Sequence, residues 1–172
     1  MILILTGPTR SGKPTALFQW TKDRSDCGGF LSPDHKGLRT IYNVRDSLSI
    51  PFEKTEHTAS SDIVIGRFIF EAESFIIASQ WLDEHLTDPN IHYILMDEIG
   101  PLELVGQGWY QCLCNTLDQL ENKTLILVVR RSLIDAVIQH YDLQDVIVVE
   151  KDYFLTSGIG PLLDDNTDKG LQ

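Results

Sequence analysis

The chain is short of basic residues and cysteines, and each shortage excludes a class of function. Lysine and arginine total 14 against 25 acidic residues, which gives a formal net charge of −11 at pH 7. A surface this negative repels nucleic acid and anionic lipid over most of its area, so we expect neither as a partner. The cysteines, Cys27, Cys112 and Cys114, form no disulfide framework and match no common zinc spacing. We interpret them as small core residues.

Long hydrophobic runs are also missing. No stretch approaches the length of a membrane span, and the N-terminus carries neither a basic region nor a cleavage site. A cytoplasmic location without membrane association is therefore the expectation. The 172 residues, 42% of them hydrophobic, suit a single globular domain. We predict that this domain covers residues 1–156 and that residues 157–172, rich in glycine and aspartate, form a flexible tail.

The first informative stretch is a glycine loop directly behind the apolar run Ile2-Leu3-Ile4-Leu5. It reads Gly7-Pro8-Thr9-Arg10-Ser11-Gly12-Lys13-Pro14-Thr15, the strand, loop and helix start of a phosphate-binding P-loop. In such a loop, backbone N–H groups and the helix N-terminus hold phosphate oxygens, and the lysine reaches the β- and γ-phosphates. We predict that these nine residues bind a nucleoside triphosphate, ATP or GTP, and that Lys13 also assists catalysis.

Pro14 is the departure from this motif. A serine or threonine hydroxyl that binds Mg²⁺ normally follows the lysine. Proline removes both that hydroxyl and one backbone donor, and losing one charged hydrogen bond weakens binding roughly ten- to a hundredfold. Thr15 is one residue out of register, so water is the better replacement ligand. Proline is well tolerated in the first turn of a helix, so the fold should survive.

The rest of the chain alternates between strand and helix patterns, which predicts a three-layer α/β fold. Residues 30–45 read as a hairpin and residues 47–52 as an edge strand marked by Pro51, which suggests antiparallel additions to a mixed sheet. Residues 53–61 read as an exposed loop. Residues 63–70 read as one strand interrupted by Gly66, with Arg67 in mid-strand.

Asp97 and Glu98 end an apolar run that begins at Ile91, as at the tip of a buried central strand. In P-loop enzymes an aspartate at this position holds the metal, and an adjacent glutamate can polarise the attacking water. We therefore predict Asp97 as the metal residue, with Mg²⁺ as cofactor, and Glu98 as a catalytic residue. The alternative for Glu98 is an exposed charge at a strand end.

Four arginines are candidates for the site. Arg130 and Arg131, at the end of a later strand, could neutralise transition-state charge or simply be solvated. Arg10 in the loop could project over the γ-phosphate or face solvent, and Arg67 beside Gly66 is interpreted as part of a solvated face. The five histidines show no metal-binding spacing, and we interpret them as surface or packing residues.

On these motifs the chain resembles the THEP-type P-loop nucleoside-triphosphatases, the family that includes cancer-related nucleoside-triphosphatase. The matching pieces are the loop Gly7–Lys13, Gly29-Phe30, Gly66-Arg67-Phe68 and above all Asp97-Glu98-Ile99-Gly100-Pro101-Leu102-Glu103-Leu104. The resemblance implies a RecA-like domain with extra strands that hydrolyses NTPs slowly and with broad base preference. It also implies metal binding near Asp97 and water activation by Glu98.

Two departures from that family bear on activity. The family usually has threonine at position 14, and its basic Gly-Gly-Arg-Arg hairpin is represented here by Lys36-Gly37-Leu38-Arg39. A slow Mg²⁺-dependent NTPase is the leading hypothesis. Pro14 favours a second one, a nucleotide-binding switch or scaffold with little hydrolysis. A small-molecule kinase is a third, although it requires an arginine-rich lid, and residues 99–131 offer only Arg130 and Arg131. No motif identifies a protein partner.

Overall fold

The computed structural model describes residues 1–8 and 11–157, and the side chains up to residue 154. Within these residues the chain forms eleven strands and five α-helices. The strands are β1 (Ile2–Thr6), β2 (Cys27–Leu31), β3 (Asp34–His35), β4 (Leu38–Asn43), β5 (Leu48–Pro51), β6 (Glu53–Lys54), β7 (Ile63–Ile65), β8 (Phe68–Phe70), β9 (Tyr93–Ile99), β10 (Thr124–Val129) and β11 (Val146–Glu150). The helices are α1 (Lys13–Thr21), α2 (Ala72–Thr87), α3 (Tyr110–Asp118), α4 (Ile134–His140) and α5 (Lys151–Ser157). None of the described helices is long and apolar enough to cross a membrane.

The main sheet has the strand order β11-β1-β10-β9-β2-β4-β3, and β5 pairs with β4. The first five strands are parallel, whereas β4 runs antiparallel to β2 and carries β3 and β5 as further antiparallel strands. A separate small sheet has the order β6-β8-β7. The predicted mixed sheet with antiparallel additions is confirmed.

Helices cover both faces of the main sheet, so the predicted three layers are present. Strand residues alternate between two cores because successive side chains point to opposite faces. Ile2 and Ile4 pack in one core with α2, α3 and α4, while Leu3 and Leu5 pack in the other with α1 and α5. The parallel strands are nearly continuous apolar runs, as expected for strands buried on both faces.

The parallel arrangement brings five chain segments to one edge of the sheet. The carboxyl ends of parallel strands lie at the same edge, where open α/β sheets bind their ligands. β1 leads there into the P-loop, β9 ends in the acid pair, and β10 lies between them in the sheet. The next residue after β2, Ser32, reaches the same edge. The strand order therefore assembles the candidate site.

A tight contact between β2 and β9 holds Ser32 at this edge. Gly29 has φ +88°, and a Cβ at this position would lie 2.0 Å from the carbonyl oxygen of Leu95. Its N–H donates to Nδ1 of the buried His85 at 2.9 Å. Burial lowers the pKa of His85, which suits a neutral ring that accepts this hydrogen bond. His85 is thus a packing residue, as predicted.

Several local predictions need correction. Gly66, at φ +58°, turns the chain, so residues 63–70 form the antiparallel pair β7–β8 rather than one strand. Arg67 accordingly lies in that turn and not in mid-strand. The stretch predicted as an exposed loop begins with the short strand β6, which pairs with β8. These errors arise because strand pairing is decided by contacts that a single segment does not contain.

The last described element is a helix, and the predicted bounds of the domain and of the tail stay predictions. Residues 151–157 form α5, which packs on α1, and no helix was predicted there. Of the predicted tail only Ser157 is described, and residues 158–172 lie outside the described part of the chain.

Candidate active site

A cleft of about 1440 Å³ opens at the carboxyl edge of the sheet. The P-loop, the acid pair and the antiparallel strands contribute to its walls. Lys13, Ser32, Asp97, Glu98 and Arg130, which come from separate segments of the chain, all line it. A pocket where the positive end of a helix faces two acids suits a phosphate chain that carries a divalent cation.

The described part of the P-loop joins β1 to α1 through two glycines with positive φ. Gly7 has φ +150° and Gly12 φ +82°, and α1 begins at Lys13. Thr9 and Arg10 lie outside the described residues. The Lys13 ammonium donates to the carbonyl oxygens of Gly7, at 3.1 Å, and Pro8, at 3.0 Å. Burial lowers the pKa of Lys13, and nearby Asp97 opposes that shift. The lysine is therefore folded over its own loop and lies near the acid pair.

Pro14 is accommodated in the first turn of α1. Helical bonding begins normally, since the N–H of Ala16 donates to the carbonyl oxygen of Gly12 at 3.0 Å. The first N–H groups of a helix have no intrahelical acceptor, so proline removes none of the helix's own bonds here. Pro14 and Thr15 both line the cleft. The departure from the motif therefore leaves the helix's own hydrogen bonds intact. It replaces a hydroxyl in the cleft with a proline ring.

Asp97 is the most buried acid of the site, with no exposed surface. Its side chain follows Tyr93 and Leu95 on the α1 face of β9, as the alternation of a strand requires. Its Oδ2 accepts the N–H of Ser32 and its Oδ1 the N–H of Glu98, both at 2.9 Å. Burial raises the pKa of Asp97, and these two hydrogen bonds oppose the rise. Each oxygen retains a lone pair for a further partner.

Glu98 lies beside Asp97 and is held by an arginine from the hairpin. Its backbone has φ +64°, an uncommon conformation for a residue other than glycine and one that recurs at functional sites. Its Oε2 lies 3.0 Å from Nη1 of Arg39, whose guanidinium lies 5.0 Å above the ring of Phe68. Burial raises the pKa of Glu98 to about 7, with Asp97 adding to the rise and Arg39 opposing it. A carboxylate with such a pKa can exchange a proton near neutral pH.

The cleft offers oxygen ligands of the kind that Mg²⁺ prefers. Asp97 supplies a carboxylate, and the Ser32 and Ser11 hydroxyls are buried with no hydrogen-bond partner in the part of the chain that the structure describes. No group of three or more histidine, cysteine or acidic side chains that could hold a metal occurs in the described residues. These donors fit Mg²⁺, which commonly keeps waters and binds through one or two protein oxygens together with the phosphates of its nucleotide.

The arginines named by sequence have different positions. Arg130 lines the cleft, whereas Arg131 pairs with Glu150 and lines a smaller cavity beside Gly7 and Pro8 of the loop. Arg67 lines the far part of the cleft, and its guanidinium lies 4.9 Å from the Phe68 ring. Of the candidate arginines that the structure describes, Arg130 is therefore the one at the carboxyl end of a central parallel strand.

Beyond the acid pair, the cleft continues as an apolar wall. Its aromatic members are Phe52, Phe68, Phe70, Phe75 and Trp109. Several of these rings contact each other, including Phe75 and Trp109 at 4.4 Å between centroids. Trp109 is positioned by the buried Glu103, whose carboxylate accepts the N–H groups of Gly100 at 2.8 Å and Trp109 at 2.9 Å. The segment after β9 is therefore folded around one buried carboxylate.

The family model described as NTPase matches residues 2–153 of the chain, and this range contains every element of the site. The chain belongs to the NTPase family. No curated protein sequence matches it significantly. Among solved structures, it resembles a human cancer-related nucleoside triphosphatase with a TM-score of 0.67 and 17% identity, over 99% of this chain and 98% of that one. It also resembles THEP1 from the hyperthermophile Aquifex aeolicus with a TM-score of 0.62 and 15% identity, over 97% of this chain and 96% of that one.

These matches confirm the predicted family and fold. Both structural neighbours carry nucleoside-triphosphatase or THEP1 names, and identities this low show a shared fold alone. This NTPase-family chain therefore has the P-loop fold, with a mixed central sheet and extra antiparallel strands. The roles of its individual site residues rest on the geometry above.

Sequence reasoning assigned no role to three residues of the NTPase cleft. Arg39 was noted only as part of a reduced basic hairpin, and Glu103 only as part of the matching octapeptide. Ser32 was not singled out, although a polar residue directly after the apolar end of β2 was a usable signal. Arg39 and Ser32 contact the acid pair from segments distant in sequence, whereas Glu103 binds backbone N–H groups within six residues of itself.

Proposed function

We propose that this chain hydrolyses nucleoside triphosphates to the diphosphate and inorganic phosphate, slowly and with Mg²⁺. One observation carries the proposal: Lys13 of the P-loop, Asp97 and Glu98 line a single cleft although β10 separates their strands in the sheet. Membership of the NTPase family supports it. A P-loop alone binds phosphate, and hydrolysis also needs a group that orients water.

The loop and Lys13 hold the phosphates in this proposal. The ammonium now bonds to the carbonyls of Gly7 and Pro8, and it exchanges these for phosphate oxygens of greater negative charge. The N-terminus of α1 adds a favourable dipole at the same point. The local positive charge allows an anion to bind although the whole chain is strongly acidic.

Glu98 orients and deprotonates the attacking water. Its pKa of about 7 is close to working pH, where a general base is most effective. The contact with Arg39 at 3.0 Å fixes one carboxylate oxygen and leaves the other for water. Mg²⁺, when bound, neutralises charge on the β- and γ-phosphates, and Asp97 is the residue that would hold it.

The test is phosphate release from ATP and GTP by the wild type, Glu98→Gln and Lys13→Ala. Glu98→Gln should lower turnover by about 10²- to 10⁴-fold, because the general base is lost, and leave nucleotide affinity nearly intact. Lys13→Ala should weaken binding itself. Glu56→Gln, which removes an exposed carboxylate outside the cleft, is the matched control and should behave as wild type. Turnover that is unchanged in Glu98→Gln would refute the assignment.

A small-molecule kinase is the second candidate, favoured by the aromatic wall beyond the acid pair. That wall provides room for an acceptor, and Arg39 and Arg67 line the same region. The sequence had indicated only Arg130 and Arg131, within residues 99–131, as arginines for a lid over the phosphates. ATP-dependent transfer of phosphate to a compound other than water, in a screen of hydroxylated aromatic acceptors, would favour this function over hydrolysis.

A nucleotide-binding switch with little turnover is the third candidate, and Pro14 is the residue that favours it. Calorimetry that detects nucleotide binding without phosphate release, together with turnover gained in Pro14→Thr, would support the switch. Wild-type turnover that Pro14→Thr does not increase would exclude it.

A further inference from the structure

The buried hydroxyl of Ser32 has no hydrogen-bond partner among the described residues. Ser32 is 3% exposed and lines the same cleft as Lys13 and Pro14. Leaving a buried polar group unpaired costs about 1–3 kcal/mol, so such a group in a binding cleft indicates a partner that arrives with the ligand. This residue was not among those that the sequence singled out.

Ser32 is held rigidly against the proposed metal residue. Its N–H donates to Oδ2 of Asp97 at 2.9 Å, across 65 residues of sequence. The close approach of Gly29 to Leu95 fixes β2 three residues earlier. The hydroxyl is thus carried by the same residue that binds the carboxylate, so the two oxygen donors belong to one site.

Within residues 1–8 and 11–154, Ser11 carries a second buried hydroxyl without a hydrogen-bond partner, and its position is different. A Cβ at Gly7 would lie 3.3 Å from the Ser11 Oγ and 3.5 Å from Cβ of Lys151. The carbonyl of Ser11 also accepts a hydrogen bond from Lys151 at 3.0 Å. Ser11 is therefore on the β11 side of the loop, whereas Ser32 is on the side of Asp97.

We propose that the Ser32 hydroxyl is an oxygen ligand of Mg²⁺ in the nucleotide complex and replaces the hydroxyl that Pro14 lacks. The inference rests on the proposed nucleotide function. Mg²⁺ prefers hard oxygen ligands, and a neutral hydroxyl beside one carboxylate matches the donor set that a P-loop serine or threonine provides with its aspartate. In this arrangement the hydroxyl ligand comes from the residue after β2 instead of from the first turn of α1.

The test measures metal affinity directly, by electron paramagnetic resonance of Mn²⁺ in the complex with a non-hydrolysable ATP analogue. Ser32→Ala should weaken Mn²⁺ binding about ten- to a hundredfold. The Ser32→Ala variant retains the backbone hydrogen bond to Asp97, so the fold should persist. A thermal unfolding measurement checks this. Ser32→Thr retains a hydroxyl and should stay within a few fold of wild type. Ser60→Ala, which removes an exposed hydroxyl outside the cleft, is the matched control.

Two further variants make the result specific to a metal ligand. Ser32→Cys should shift the metal preference from Mg²⁺ towards Cd²⁺, because a thiolate is a soft ligand. Adding Pro14→Thr to Ser32→Ala should restore Mn²⁺ affinity, because it returns a hydroxyl to the motif position. Binding of the analogue in the presence of a chelator should be equal in wild type and Ser32→Ala.

The outcomes separate this inference from the proposed function. Wild-type affinity for Mn²⁺ in Ser32→Ala would overturn the ligand role and leave the NTPase proposal standing. Equal loss in Ser32→Ala and Ser32→Thr would indicate a packing effect and would also overturn it. Absence of metal-dependent nucleotide binding in the wild type would overturn both.

Discussion

The contact between Arg39 and Glu98 leads to a prediction about pH dependence. The guanidinium Nη1 lies 3.0 Å from the carboxylate and opposes the rise in the pKa of Glu98 that burial and Asp97 cause. Replacing Arg39 with methionine keeps the side-chain bulk and removes the charge. The carboxylate then holds its proton more tightly, and the fraction of enzyme with a functional base falls at acidic pH.

The size of the effect follows from the position of the pair. Charges about 4 Å apart near a protein surface interact by about 4 kcal/mol at an effective dielectric constant of 20. The Arg39 and Glu98 side chains are 23% and 35% exposed, so solvent screening and side-chain entropy reduce this value, to about 1 kcal/mol. That energy corresponds to about a fivefold smaller ionised fraction below neutral pH.

The assay is kcat/KM for phosphate release between pH 5.5 and 9. In the wild type the rate should rise with pH through about 7, since at pH 6 only about one tenth of Glu98 is ionised when its pKa is about 7. Arg39→Met should be about fivefold slower than wild type near pH 6 and nearly equal to it at pH 9. The midpoint of its profile moves to higher pH, because the lost cation had stabilised the ionised form.

Two variants serve as controls for this profile. Arg39→Lys retains the charge and should keep most of the wild-type profile. Arg67→Met removes the other guanidinium that lies beside Phe68 and should leave the midpoint unchanged. A fall of equal size at every pH in Arg39→Met would refute the reasoning, because it would indicate that Arg39 contacts the phosphates in the transition state instead.

Three further predictions concern stability. Glu103→Ala leaves two buried N–H groups without an acceptor and should lower the free energy of unfolding by about 2–5 kcal/mol in urea titration, whereas a loss below 0.5 kcal/mol would contradict its structural role. Gly29→Ala places a Cβ 2.0 Å from the Leu95 carbonyl at φ +88° and should cost about 3–5 kcal/mol or prevent folding, as circular dichroism would report. The pKa of Glu98 is raised on folding from 4.5 to about 7, so its ionisation destabilises the fold as pH rises through this window. Glu98→Gln should therefore stabilise the chain by about 1 kcal/mol at pH 8, after allowance for screening, and have no effect near pH 4.

Local patterns were sufficient to predict the fold, and they named the P-loop and the acid pair, which line one cleft. The P-loop is recognisable because glycine spacing and Lys13 are required within nine consecutive residues. The acid pair is recognisable because Asp97 follows an apolar strand at once. Each of these motifs lies within one short, continuous stretch of sequence. The alternation of strand and helix follows from the period of the hydrophobic pattern. The resemblance to the THEP-type family, confirmed by the family match, rested on the same local motifs.

Tertiary structure decided which other side chains join these motifs. Arg39 reaches Glu98 because β4 folds back beside β2, and Ser32 reaches Asp97 because β2 pairs with β9. Neither contact follows from the spacing of residues, because strand order and register depend on how the whole hydrophobic core packs. The chain by itself determined that a phosphate loop and two acids are present, and the packed sheet determined the cation and hydroxyl that surround them.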